Sequence, residues 1–156
     1  MCTREITPTS QHVRTIEQQT RYWMRSPAIT LNLDALLSEA LFLMHEHDMR
    51  CLPVVLDTGE LCGVITQGDI RGANLLRAVG VEPQVIVEAL RPVKVYEVMT
   101  ERIPAITPET NLREAALLMI ENKIGGLPVV SHSGHVVGII TESDLFEALV
   151  QQLDGE

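Results

Sequence analysis

Basic residues are scarce in this 156-residue chain: 12 lysines and arginines stand against 21 aspartates and glutamates, for a formal charge of −9. Such a surface repels polyanions, so no nucleic acid and no membrane is expected as a partner. Cysteine is sparse too. Cys2, Cys51 and Cys62 are odd in number and lack metal-ligand spacing. The last two lie in apolar stretches, which reads as buried reduced thiols and a cytoplasmic setting. No segment approaches the roughly 18 consecutive apolar residues of a membrane span, and the opening MCTREITPTS has no signal-peptide core. Also missing are a nucleophile beside a base, a metal set and a framed carboxylate pair, so catalysis is not expected. His132 and His135 flank a turn with no cysteine or carboxylate at ligand spacing, and read as turn residues.

What the chain does have is ordinary globular composition, 46% hydrophobic and 21% charged, and an internal repeat. Arg25–Thr30 reads RSPAIT and Arg102–Thr107 reads RIPAIT, 77 positions apart. Ala40–Arg71 aligns without gaps to Ala115–Phe146 at an offset of 75, with 13 of 32 positions identical. A period this long is a duplicated subdomain, two copies of which bury their apolar faces on each other. The change of offset implies two extra residues after Thr30 in the first copy.

Leu37, Ala40, Leu41 and Met44, like Leu112, Ala115, Ala116, Met119 and Ile120, form the apolar stripe of a core-facing helix. Each helix gives way to Leu-Pro-Val-Val, a β-branched run. Turn residues at Asp57–Glu60 and Ser131–Gly134 lead into second apolar runs, Leu61–Ile65 and Val136–Ile140, which predicts hairpins. Thr66 and Thr141, each with an aspartate three residues on, stand as N-caps of helices running to about Ala78 and Leu149. Each copy therefore reads β-α-β-β-α, an α/β (α+β) fold. The expected layout is an N-terminal polar segment (1–20), a first copy (21–79), a connecting segment (80–93) packed as a crossover over 79–91, a second copy (94–150) and a C-terminal tail (151–156). A leading helix is expected over 11–24.

The chain resembles the CBS-domain family, in which two modules pack pseudo-symmetrically as one pair (a Bateman module). The resemblance rests on VYEVMT at Val95–Thr100, on LPVV twice, and on the pattern glycine, two apolar residues, Thr-x-x-Asp, at Gly63–Asp69 and Gly138–Asp144. It implies that the aspartate accepts the ribose hydroxyls of an adenosyl ligand, that the threonine meets ribose or phosphate, and that apolar backbone near Leu-Pro-Val holds adenine. Sites of the family are composite. One candidate here joins Thr107, Leu112, Gly125, Gly126 and Leu127 to Val64, Thr66 and Asp69. The other joins Thr30, Arg50, Cys51 and Leu52 to Ile139, Thr141 and Asp144. Arg25 and Arg102 are the candidate phosphate contacts.

The physics agrees with such roles: a carboxylate at a helix N-terminus can accept two O–H donors, and the amides beside it can meet a phosphate. The expected function is a regulatory module, with no cofactor required and an adenine nucleotide (AMP, ADP or ATP) or S-adenosylmethionine as ligand. A homodimer and an effector protein on another polypeptide are the expected partners. The competing reading is a ligand-free dimerisation scaffold. The Asp69 site is expected to be preferred because the longer loop after Thr30 frames the other.

Overall fold

The structure, a computed structural model, describes residues 18–75 and 93–155. The expected crossover over 79–91 lies outside the described residues, and so does most of the expected leading helix. Of that helix the described part holds a single 3-10 turn, Thr20–Tyr22.

In the first copy, β1 (Leu31–Asn32) leads through α1 (Leu37–Glu46) to a hairpin of β2 (Cys51–Val55) and β3 (Leu61–Thr66), which runs directly into α2 (Gln67–Leu75). The second copy repeats this with α3 (Leu112–Asn122), β4 (Gly126–Val130), β5 (Val136–Thr141) and α4 (Glu142–Asp154). Its leading strand is reduced to one parallel bridge, Ile106 to Val129. The hairpins turn at Gly59 (φ 87°) and Gly134 (φ 84°), a left-handed backbone that glycine adopts without penalty. Beyond the expected end at Leu149, α4 continues to Asp154, because no proline or glycine interrupts it before Gly155.

The two copies superimpose on one register. Leu31 pairs with Val54 as Ile106 pairs with Val129, and Cys51 pairs with Thr66 as Gly126 pairs with Thr141. Both hairpins carry a bulge at the same place, after Val54 and after Val129. All of these are 75 residues apart. The loop after Thr30 is therefore not longer than its counterpart, contrary to the expectation from RSPAIT and RIPAIT. Thr107 matches Asn32, not Thr30, and Arg25 matches Thr100, not Arg102. The hexapeptides are a local likeness shifted by two residues. Strand pairing sets the true register, because a slip would move apolar side chains off the core.

Each copy closes its core with a segment that lies ahead of the other copy in sequence. Val95 N–H donates to Ala35 O (2.8 Å) and Tyr96 N–H to Leu33 O (3.1 Å), so VYEVMT packs on the first copy. Thr20 N–H donates to Thr110 O (2.8 Å) and Leu112 N–H to Gln18 O (2.7 Å), which seats the segment before Arg25 on the second. Val95 is fully buried with Leu37, Leu52 and Ile65, while Trp23 and Met24 pack around Leu127, Val129 and Ile140. A fully buried Val contributes about 1.5–3 kcal/mol, so burying Val95 of the exchanged segment in the first core helps bind the copies to each other. Ile120, expected in the apolar stripe, is 71% exposed. At 100° per residue it sits about 80° round the helix from Leu112, past the edge of the buried face formed by Ala115 and Met119.

Candidate functional site

Between the copies lies a cleft of about 640 Å³, within the range of about 300–1,000 Å³ typical of small-molecule sites. Both halves of the pseudo-two-fold contribute to it. From the first copy come Arg50 and Cys51 ahead of Leu-Pro-Val, then Val64, Thr66 and Asp69; from the second come Gly125, Thr141, Glu142 and Ser143. Arg25 and Thr100, matched residues of the exchanged segments, complete the wall with Ile103.

The local geometry follows from the repeated motif. Thr66 donates to Asp69 Oδ2 from both its backbone N–H and its hydroxyl, at 2.8 Å each, and Asp69 N–H returns a bond to the hydroxyl at 3.1 Å. Thr141 donates to Asp144 Oδ2 in the same two ways, at 2.7 and 2.8 Å. Both aspartates thus cap their helices through one oxygen, and in each the second oxygen, Oδ1, stays outside the cap. For Asp144 that oxygen lies 3.7 Å from Arg25 Nε, and the residue is buried. Asp69 is half-buried and reaches the cleft wall. Segments before Leu-Pro-Val are fixed alike: Gln67 N–H donates to Arg50 O and Glu142 N–H to Gly125 O, both at 3.0 Å.

The remaining expected site residues lie elsewhere. Leu52, Leu127 and Ile139 are fully buried core residues. Gly126 opens β4 against Ile140 O and the Cys51 side chain. Leu112 starts α3 and packs on the second core. Thr107 turns its N–H to Thr110 Oγ1 (3.1 Å), Thr30 precedes β1, and Arg102 is exposed; none of the three lines the cleft.

Sequence reasoning missed Asp48 and Lys123, which do line it. They are matched residues at the ends of α1 and α3, both in left-handed backbone (φ 50° and 54°), where the chain leaves a helix for a strand. Their spacing of 75 just ahead of the repeated Leu-Pro-Val was the available signal. Because one is acidic and the other basic, the pseudo-symmetric cleft is not symmetric in charge.

Burial, and next the nearby Asp69 charge, push the Cys51 thiol up from 9.0 to about 12. It is therefore no nucleophile at neutral pH, because the thiolate is the reactive species. Iodoacetamide at pH 8 is expected to leave Cys51 unmodified in the folded protein and to label it in denaturant, as read by peptide mass mapping. The unfolded chain ionises this thiol above pH 9 and the folded one does not, so this group takes stability away as pH rises from about 9 towards 12.

Among the described residues no group of histidines, cysteines and carboxylates could hold a metal, and no helix is long and apolar enough to cross a membrane. The family model for the CBS domain matches residues 16–75 and 95–151. A CBS domain-containing protein of Dictyostelium discoideum is 34% identical over 131 residues, covering 84% of this chain and 90% of that protein. Among solved structures, the CBS domain pair of protein MJ0100, in complex with 5'-methylthioadenosine and S-adenosyl-L-methionine, is 26% identical. It covers 84% of this chain and 98% of its own, with a TM-score of 0.71. CBSX2 in complex with AMP is 27% identical and covers 85% and 96%, with a TM-score of 0.69. With two family matches over most of its length and the fold of a domain pair, this chain belongs to the CBS-domain family.

Proposed function

We propose that the chain is a non-catalytic regulatory module that binds an adenosine-containing nucleotide in the cleft between its CBS repeats and signals occupancy to a partner. The observation that carries this reading is the Asp69 carboxylate at the cleft wall, fixed through Oδ2 by Thr66 and left with Oδ1 outside that cap. Such an oxygen can accept ribose hydroxyls, each bond to a charged group contributing about 1.5–3 kcal/mol before desolvation. Arg50 and Lys123, which also line the cleft, offer positive charge to a phosphate, and the uncharged Val64, Ile103 and Gly125 offer a surface to adenine. AMP, ADP, ATP and S-adenosylmethionine all carry the ribose diol that this reading requires. Support also comes from MJ0100 and CBSX2, which hold adenosyl ligands in a similar fold.

The test is a thermal unfolding series on protein stripped of carried-over ligand. A ligand at one hundred times its Kd stabilises by about 2.7 kcal/mol, which at roughly 2–4 °C per kcal/mol for a chain of this size raises Tm by about 5–10 °C. No shift with any of the four ligands would leave the scaffold reading in its place. A homodimer is part of the proposal. The second copy exposes Ile120, Phe146 and Leu153 on α3 and α4, apolar surface of the kind a subunit contact covers, and sedimentation velocity finding only monomer would remove that part.

A further inference from the structure

Asp69 and Asp144 hold matched positions and cap their helices alike, yet one lines the cleft and the other is sealed from it. What stands beside Asp144 and not beside Asp69 is an arginine, Arg25, whose own side chain is 50% exposed. We infer that the Arg25 side chain is the internal occupant of the Asp144 seat, so that the chain takes a single adenosyl ligand, at Asp69. This rests on the nucleotide reading above and specifies its stoichiometry.

Arg25 is set in place by its own backbone. Its N–H donates to Ile139 O at 2.9 Å and its carbonyl accepts from Ile139 N–H at 3.1 Å, fixing its Cα beside β5, five residues ahead of Asp144. From there Nε lies 3.7 Å from Asp144 Oδ1, the oxygen left outside the Thr141 cap. The Asp144 side chain is only 10% exposed. A neutral ribose diol arriving there would separate a nearly buried carboxylate from the cation beside it, and an uncompensated buried charge is strongly unfavourable. In the other half the same backbone pairing, at 3.0 and 2.9 Å, joins Val64 to Thr100. Threonine brings no positive charge, and among the described residues Asp69 has no ion pair. A ligand at Asp69 displaces water rather than a guanidinium.

Calorimetric titration of the full chain with AMP, and separately with S-adenosylmethionine, tests the inference through the number of equivalents bound. The wild type is expected to take about one per chain. Arg25→Thr, which installs the residue the matched position carries, is expected to take two, and adding Asp144→Ala to it should restore one. Arg25→Gln keeps a polar side chain, shorter and without the charge, and serves as the second variant should the first not fold. Two equivalents on the wild type, or one on both folded Arg25 variants, overturn the inference while the nucleotide reading stands. No heat from either ligand on any of these proteins overturns the nucleotide reading itself, and the inference with it.

Discussion

Asp69→Ala is expected to weaken binding of the adenosyl ligand by about 10- to 100-fold, the loss of one or two hydroxyl bonds, or about 1.4–2.7 kcal/mol. The same substitution removes a helix cap, because Asp69 Oδ2 accepts from the Thr66 N–H and hydroxyl, and caps contribute about 1 kcal/mol. Asp144→Ala separates the two effects. It removes the equivalent cap from α4 and, with Arg25 already seated on that carboxylate, it should lower Tm while leaving affinity within about twofold. Calorimetric titration and thermal unfolding of both variants give the comparison. Equal losses of affinity in the two would mean that the aspartates act only through helix stability.

The second large effect is structural. Gly138→Ala and Gly63→Ala should each destabilise the fold by about 1–3 kcal/mol, the usual cost of overfilling a packed site. A Cβ at Gly138 would stand 2.9 Å from Arg25 O, and one at Gly63 would stand 2.8 Å from Thr100 O. Both neighbours are backbone, and both belong to the exchanged segments. Relieving the clash therefore means moving the paired hydrogen bonds that join one copy to the other. Gly72 gives the opposite sign: it lies in α2 with nothing within 4 Å of its Cβ position, so Gly72→Ala should stabilise by roughly 0.5–1 kcal/mol. Denaturant melts of the three variants decide it, and a neutral Gly138→Ala would contradict the close approach.

These glycines show why part of the fold was legible in the sequence. Gly63 and Gly138, the Leu-Pro-Val-Val strands and the Thr-x-x-Asp caps recur at 75 because each meets the same local demand twice. A gapless alignment reads such demands directly. The RSPAIT and RIPAIT likeness misled because six residues can resemble each other without sharing a structural position. The helix stripe, Leu37 to Leu112 and Met44 to Met119, already carried the offset of 75 back to within six residues of Leu31. The exchange of leading segments was not legible, since no local pattern states which of two similar cores a segment will close. Nor was the Arg25 to Asp144 pair, which joins residues 119 positions apart through a backbone pairing with Ile139. The proposed preference for the Asp69 seat rests on Arg25 beside Asp144, and the loop after Thr30, which matches its counterpart in length, gives it no support.

The most direct test of the central claim is a crystal structure of the chain grown with AMP or S-adenosylmethionine. The account predicts ligand in the cleft, with its ribose hydroxyls within hydrogen-bonding distance of Asp69 and the Arg25 to Asp144 contact intact. Ligand with its ribose on Asp144, or a cleft empty at saturating ligand, would contradict it.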